Sequence, residues 1–118
     1  MKEQSRIEDE GLTSAVAQLA ATLRPEDLSA PLLERTKDLV LDHLGVTLYG
    51  STLPWSRQVR DLVLAEGGKG TSTVYGFGLV PARAAALANG AAAHASGLDD
   101  THHETLGHSR CGVGPAAL

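Results

Sequence analysis

Large rings are scarce in this chain: its 118 residues include one Phe, one Trp and two Tyr. Bulky aromatic packing is therefore excluded as the basis of the core, and the abundant alanine points instead to helices in close contact. A single cysteine, Cys111, excludes an internal disulfide. It follows His108 and Arg110, whose charges can lower a thiol pKa, but it reads as an inert or weakly reactive thiol rather than a nucleophile. Basic charge is also short. A net charge of −4 with no basic stripe argues against a general grip on nucleic-acid phosphates. There is neither an apolar run of about 18 residues nor a charged-then-apolar leader, so a cytoplasmic protein with no membrane partner is expected.

What is present fits one soluble domain: 42% hydrophobic and 20% charged residues are ordinary proportions. Residues 1–10 lack apolar periodicity and read as a flexible arm. From Leu12, apolar residues recur at three and four positions through Val16, Leu19, Ala20 and Leu23, which is helix spacing. Arg24-Pro25 ends that run. A second helix opens after Ser29, with Pro31 in its first turn. It sets Leu32, Leu39, Val40, His43, Leu44 and Leu48 against Glu34, Arg35, Lys37, Asp38 and Asp42.

Gly50 to Pro54 stops the second helix, and Val59, Leu62 and Val63 carry a third. Pro81 opens a fourth that is rich in alanine. The pattern predicts an all-α fold with helices near 12–24, 30–49, 55–66 and 80–95. At most a minor extended segment is expected at 71–75, isolated from any partner strand, with Gly76-Phe77-Gly78 as a flexible joint. Val113 to Leu118 reads as the first turn of another helix, with Pro115 near its start. Because one turn alone is unstable, residues 11–118 are expected to be part of a longer polypeptide.

Two glycine-rich stretches invite phosphate-loop readings, and both fail. Gly67-Gly68-Lys69-Gly70-Thr71 has Gly70 between the lysine and the hydroxyl residue, and Gly76-Phe77-Gly78-Leu79-Val80-Pro81 has Pro81 where a third glycine belongs. The chemistry lies further on. Four of the five histidines fall within residues 94–108, beside the adjacent aspartates Asp99 and Asp100. Imidazoles that titrate near neutral pH, next to carboxylates, suit proton transfer and anion recognition.

Asp99, Asp100, His102, His103 and His108 are also of the types that ligate transition metals. Their spacing matches no specific metal pattern such as His-Glu-x-x-His, so no metal is expected, and a pocket for proton transfer or carboxylate binding is the preferred reading. His43 reads as a hydrogen-bonded core histidine. His94 is left open between core and pocket.

The order Asn89-Gly90, His94-Ala95, Asp99-Asp100-Thr101-His102, His108, Pro115-Ala116-Ala117-Leu118 resembles the MmgE/PrpD family, which includes 2-methylcitrate dehydratase and cis-aconitate decarboxylase. Similarity extends backward through Ala84-Ala85-Ala86-Leu87, Ser72-Thr73-Val74-Tyr75-Gly76, Gly67-Gly68, Tyr49-Gly50 and Asp42-His43-Leu44-Gly45.

The resemblance implies the opening part of an all-helical domain that further helices complete, in a lyase for small di- or tricarboxylates that needs no cofactor or metal. It implies a homodimer as well. It gives roles to matching positions: Asp99, Asp100 and His108 are read as catalytic and Thr101 as part of the substrate pocket, with the neighbouring His102 and His103 also taken as substrate-binding; Arg110, which departs from the family pattern, is added as a cation for a substrate carboxylate. Two departures stand out: Gly97 replaces a common aspartate, and His108-Ser109-Arg110 replaces His-Pro-Ser. The segment alone is expected to be inactive. A non-catalytic helical interaction or dimerisation module, and an isomerase or epimerase of a small carboxylic acid, are the alternatives.

Overall fold

The computed structural model describes residues 11–101, 104 and 107–117. The expected arm at 1–10 and the candidate residues His102 and His103 lie outside them. The chain divides into two compact units, which among the described residues comprise 11–35 and 36–118 without the gaps just given.

In the first unit, helix α1 spans Leu12–Thr22. It stops two residues before the expected end because the ring of Pro25 disfavours helical backbone at the preceding residue; Arg24 is extended, at φ −113° and ψ 153°. Pro25–Asp27 then forms a single 3₁₀ turn, and the Arg24 N–H donates to Asp27 Oδ2 at 2.9 Å. The apolar stripe expected on α1 exists, yet none of its residues is buried. Helix α2, Ala30–Gly50, begins in this unit and runs into the second.

The second unit holds the rest of α2, helix α3 (Pro54–Glu66), strands β1 (Ser72–Val74) and β2 (Gly78–Val80), helix α4 (Ala82–His94) and helix α5 (Ser109–Ala117). Pro54 occupies the first turn of α3, where its missing N–H costs nothing. The segment expected to be isolated at 71–75 has a partner: β1 and β2 pair antiparallel, with Ser72 opposite Val80 and Val74 opposite Gly78. The supposed joint is their turn, closed by the Phe77 N–H on the Val74 carbonyl at 3.0 Å. Such a small hairpin is not stable by itself. Val74 and Val80 hold it in place by packing into a core with Val63, Ala85 and Ala88.

Helix α4 is the centre of this unit, packing against α3, β1 and α5. Ala85, Ala88, Ala92 and Ala93, at helical spacing, are all buried. Small residues allow the close approach expected from the composition. Gly50 lies so near the Ala92 carbonyl that a side-chain carbon there would overlap it. The Asn89 amide stitches α4 to the hairpin: its Nδ2 donates to the Thr73 carbonyl at 2.8 Å and its Oδ1 accepts from the Tyr75 N–H at 3.1 Å.

Helix α5 starts at Ser109, four residues earlier than the sequence suggests, and Pro115 lies inside it rather than at its opening. An internal proline removes a helical hydrogen bond. Burial of Pro115, beside the bare backbone of Gly90 on α4, offsets that loss. Among the described residues, no helix is long and apolar enough to cross a membrane.

Candidate functional site

The site forms where α4 ends and α5 begins. His94 is the last residue of α4, and the chain turns back through Ala95 to Gly97, with the Gly97 N–H on the His94 carbonyl at 3.2 Å. Gly97 takes φ 63°, the left-handed region that glycine enters freely and aspartate at modest cost. The backbone there thus suits either residue. The turn carries Asp99 under the helix end, where its side chain is only 3% exposed.

Two imidazoles meet that carboxylate. His94 Nδ1 lies 3.0 Å from Asp99 Oδ2 and 3.1 Å from Oδ1, in hydrogen-bonding geometry. His108 Nδ1 lies 3.1 Å from Oδ2, close enough for an ion pair but without hydrogen-bond alignment. The rings stand edge to face, centroids 4.6 Å apart. Burial acts to raise the Asp99 carboxyl pKa, but the hydrogen bond and charge of His94, with the charge of His108, hold it below its ordinary value.

Asp100 belongs to a second cluster. Arg110, in the first turn of α5, places Nε 2.7 Å from Asp100 Oδ1, again as an ion pair without hydrogen-bond alignment. Its Nη1 lies 2.8 Å from Asp42 Oδ2 and donates to the Leu39 carbonyl at 2.9 Å. Burial works against the guanidinium's charge, but the two carboxylates outweigh it and raise the Arg110 pKa.

His43, one residue beyond Asp42, is buried as expected of a core histidine, but its Nε2 has no hydrogen-bond partner. That nitrogen faces the bare backbone of Gly114. Burial, then the charge of Arg110, lowers the His43 pKa. Cys111 donates its S–H to the His108 carbonyl at 2.9 Å. Burial, then the negative charge of Asp99, pushes its pKa up, opposite to what an activated nucleophile needs.

The structure therefore brings Asp99 and His108 into one group and Asp100 and Arg110 into an adjoining one. Thr101 is exposed. His94, left open in the sequence reading, joins the site through its Nδ1, and Asp42 enters from α2 across a long sequence gap. The pair Asp42-His43 carries the only signal for that entry, through its place among the matching motifs.

Comparison with known proteins gives the same family. The model of the MmgE/PrpD N-terminal domain matches residues 14–118. The chain is 36% identical over 110 residues to a cis-aconitate decarboxylase of Aspergillus terreus, covering 92% of this chain and 22% of that protein. It is 33% identical over 106 residues to a cis-aconitate decarboxylase-like protein of Aspergillus oryzae, covering 89% of this chain and again 22% of the relative. The chain thus spans about a fifth of the length of these curated relatives. No solved structure matches.

Proposed function

Because the chain belongs to the MmgE/PrpD family, we propose that it is the N-terminal part of a cofactor-independent lyase that removes a small group from a di- or tricarboxylate, with cis-aconitate decarboxylation the favoured reaction. The observation that carries this reading is the buried Asp99 carboxylate between the Nδ1 atoms of His94 and His108. His94, aligned to give its Nδ1–H to this fixed carboxylate, has its tautomer set, and His108, within ion-pair range of the same carboxylate, has its Nε2 left to exchange protons with a substrate.

In decarboxylation the bond from carbon to the departing carboxylate breaks, and its electron pair remains on carbon. His108 Nε2–H supplies the proton that takes up that pair, with the Asp99 carboxylate 3.1 Å from its other ring nitrogen. His94 shares Asp99 and keeps the carboxylate oriented. The same acid–base pair serves dehydration or epimerisation, since each moves a proton beside a carboxylate. The names of the relatives favour decarboxylation.

The sequence offers Arg110 as a cation for a substrate carboxylate. Its engagement with Asp42, Asp100 and Leu39 supports a different part, as the brace that fixes Asp100. We further propose that cations for the substrate carboxylates come from elsewhere in the complete subunit, that Thr101, His102 and His103 take part in substrate binding, and that the subunit is a cytoplasmic homodimer.

The test is an assay of carbon dioxide release from cis-aconitate by a subunit of the relatives' full length carrying this segment, beside the 118-residue chain alone. Turnover by the long form and none by the short form is expected. Turnover of 2-methylcitrate by dehydration, without carbon dioxide release, would replace decarboxylation with the dehydratase reading. Absence of both reactions in a folded long form would favour the interaction module.

A further inference from the structure

We infer that His94, Asp99 and Cys111 form a binding site for a zinc-type divalent cation. One donor atom from each, the imidazole nitrogen, a carboxylate oxygen and Sγ, lies within 4.8 Å of the other two. Sulfur and imidazole nitrogen together select zinc over the hard cations magnesium and calcium, and a carboxylate completes a familiar zinc donor set.

Metal–ligand bonds of about 2.0–2.3 Å in a tetrahedron place donor atoms roughly 3.3–3.7 Å apart. His94 and Asp99 stand 3.0 Å apart and no two donors are more than 4.8 Å apart, so reaching that spacing needs movement of about an ångström. The donors come from three places: the end of α4, the turn after it and the first turns of α5. Their sequence spacing matches no metal motif because the packing of α5 on α4 gathers them.

The surroundings suit entry and retention of an ion. The His94 side chain is 54% exposed, giving a path from solvent, whereas the Asp99 side chain is 3% exposed and provides a fixed anionic anchor. On binding, the bond from Cys111 Sγ to its hydrogen breaks and a sulfur–metal bond forms. The released proton passes to solvent, with no change of oxidation state. Three protein ligands leave a fourth position for water. Because His94 and Asp99 are also the acid–base groups of the proposed lyase, an ion bound here takes them out of that chemistry, and metal binding and turnover exclude each other.

The experiment titrates the purified chain with Co²⁺, a spectroscopic substitute for zinc, and then competes with Zn²⁺. One equivalent of Co²⁺ is expected to give intense tetrahedral visible bands and a thiolate-to-cobalt charge-transfer band in the near ultraviolet, both abolished by Zn²⁺. Cys111→Ser should lose the charge-transfer band, and Cys111→Ser and His94→Gln should each weaken Zn²⁺ binding by about tenfold or more. Circular dichroism establishes that each variant retains its helices, and the solvent-facing position of His94 keeps that arm of the test independent of folding. Only weak six-coordinate bands, or Zn²⁺ affinity unchanged in both variants, would overturn the site.

Discussion

Arg110 Nε stands 2.7 Å from Asp100 Oδ1, joining the first turn of α5 to the loop that follows α4. The same guanidinium reaches Asp42 and the Leu39 carbonyl on α2, so one side chain ties three segments of the second unit together. Its side chain is 18% exposed, so these contacts are less screened than those of a surface pair. Arg110→Met keeps the apolar stem and removes the charge. It should cost about 1–3 kcal/mol in urea unfolding, the range for a charged hydrogen-bonded group discounted for its half-exposed partners.

Asn89 tests a different connection. Truncation to alanine removes the partners of both the Thr73 carbonyl and the Tyr75 N–H, leaving two backbone groups without their hydrogen bonds. A loss of about 1–3 kcal/mol is expected. Amide exchange should show β1 opening before α4. An Asn89→Ala variant with unchanged hairpin protection would contradict this role.

Two glycines of α2 should respond in opposite directions to the same substitution. Gly50→Ala puts a methyl group into the Ala92 carbonyl, and because the obstacle is backbone it should cost about 1–3 kcal/mol or more. Gly45 lies within the helix with nothing within 4 Å of an added carbon. Gly45→Ala should therefore stabilise by about 0.5–1 kcal/mol. Thermal melts of the pair separate close packing from helix propensity.

Stability should fall on acidification in two stages. His43 has a lowered pKa in the fold, so its neutral form is favoured there while the unfolded imidazole takes up a proton near 6.5. Its contribution is complete above about pH 6.5 and is lost as pH falls toward the lowered folded value. Asp99 is also lowered, from an ordinary 3.8. Its contribution is present above that value and disappears as pH falls through the folded pKa. Melting temperature should thus decline between about pH 7 and pH 5, and His43→Gln should remove that first stage. A flat profile over this range would contradict the burial assigned to His43.

The helices were legible in the sequence because local rules govern them: apolar spacing marks α1 to α4, and Pro25, Pro54 and Gly67 mark boundaries. The hairpin was only half legible. Leu79 and Val80 carry no alternation long enough to announce a strand, and β2 is held by Val80 in a core that reaches back to Val63 on α3, far off in sequence. The length of α5 was hidden for a related reason, since Pro115 reads as a helix start unless its burial is known. In the site, adjacency exposed Asp99 and Asp100, but neither spacing nor composition could place Cys111 beside His94. That neighbourhood exists only because α5 lies along α4.

The central claim is that the Asp99 carboxylate holds His94 and His108 in place for proton transfer, and Asp99→Asn tests it most directly. The substitution retains the side chain's shape while removing the charge that meets both imidazoles. The decisive measurement is kcat as a function of pH for cis-aconitate decarboxylation, in a subunit of the relatives' full length carrying this segment. The account predicts a fall in kcat of about 10²–10⁴-fold, a displaced pH profile and a much smaller change in KM. A folded Asp99→Asn subunit with wild-type kcat and an unmoved pH profile would contradict it.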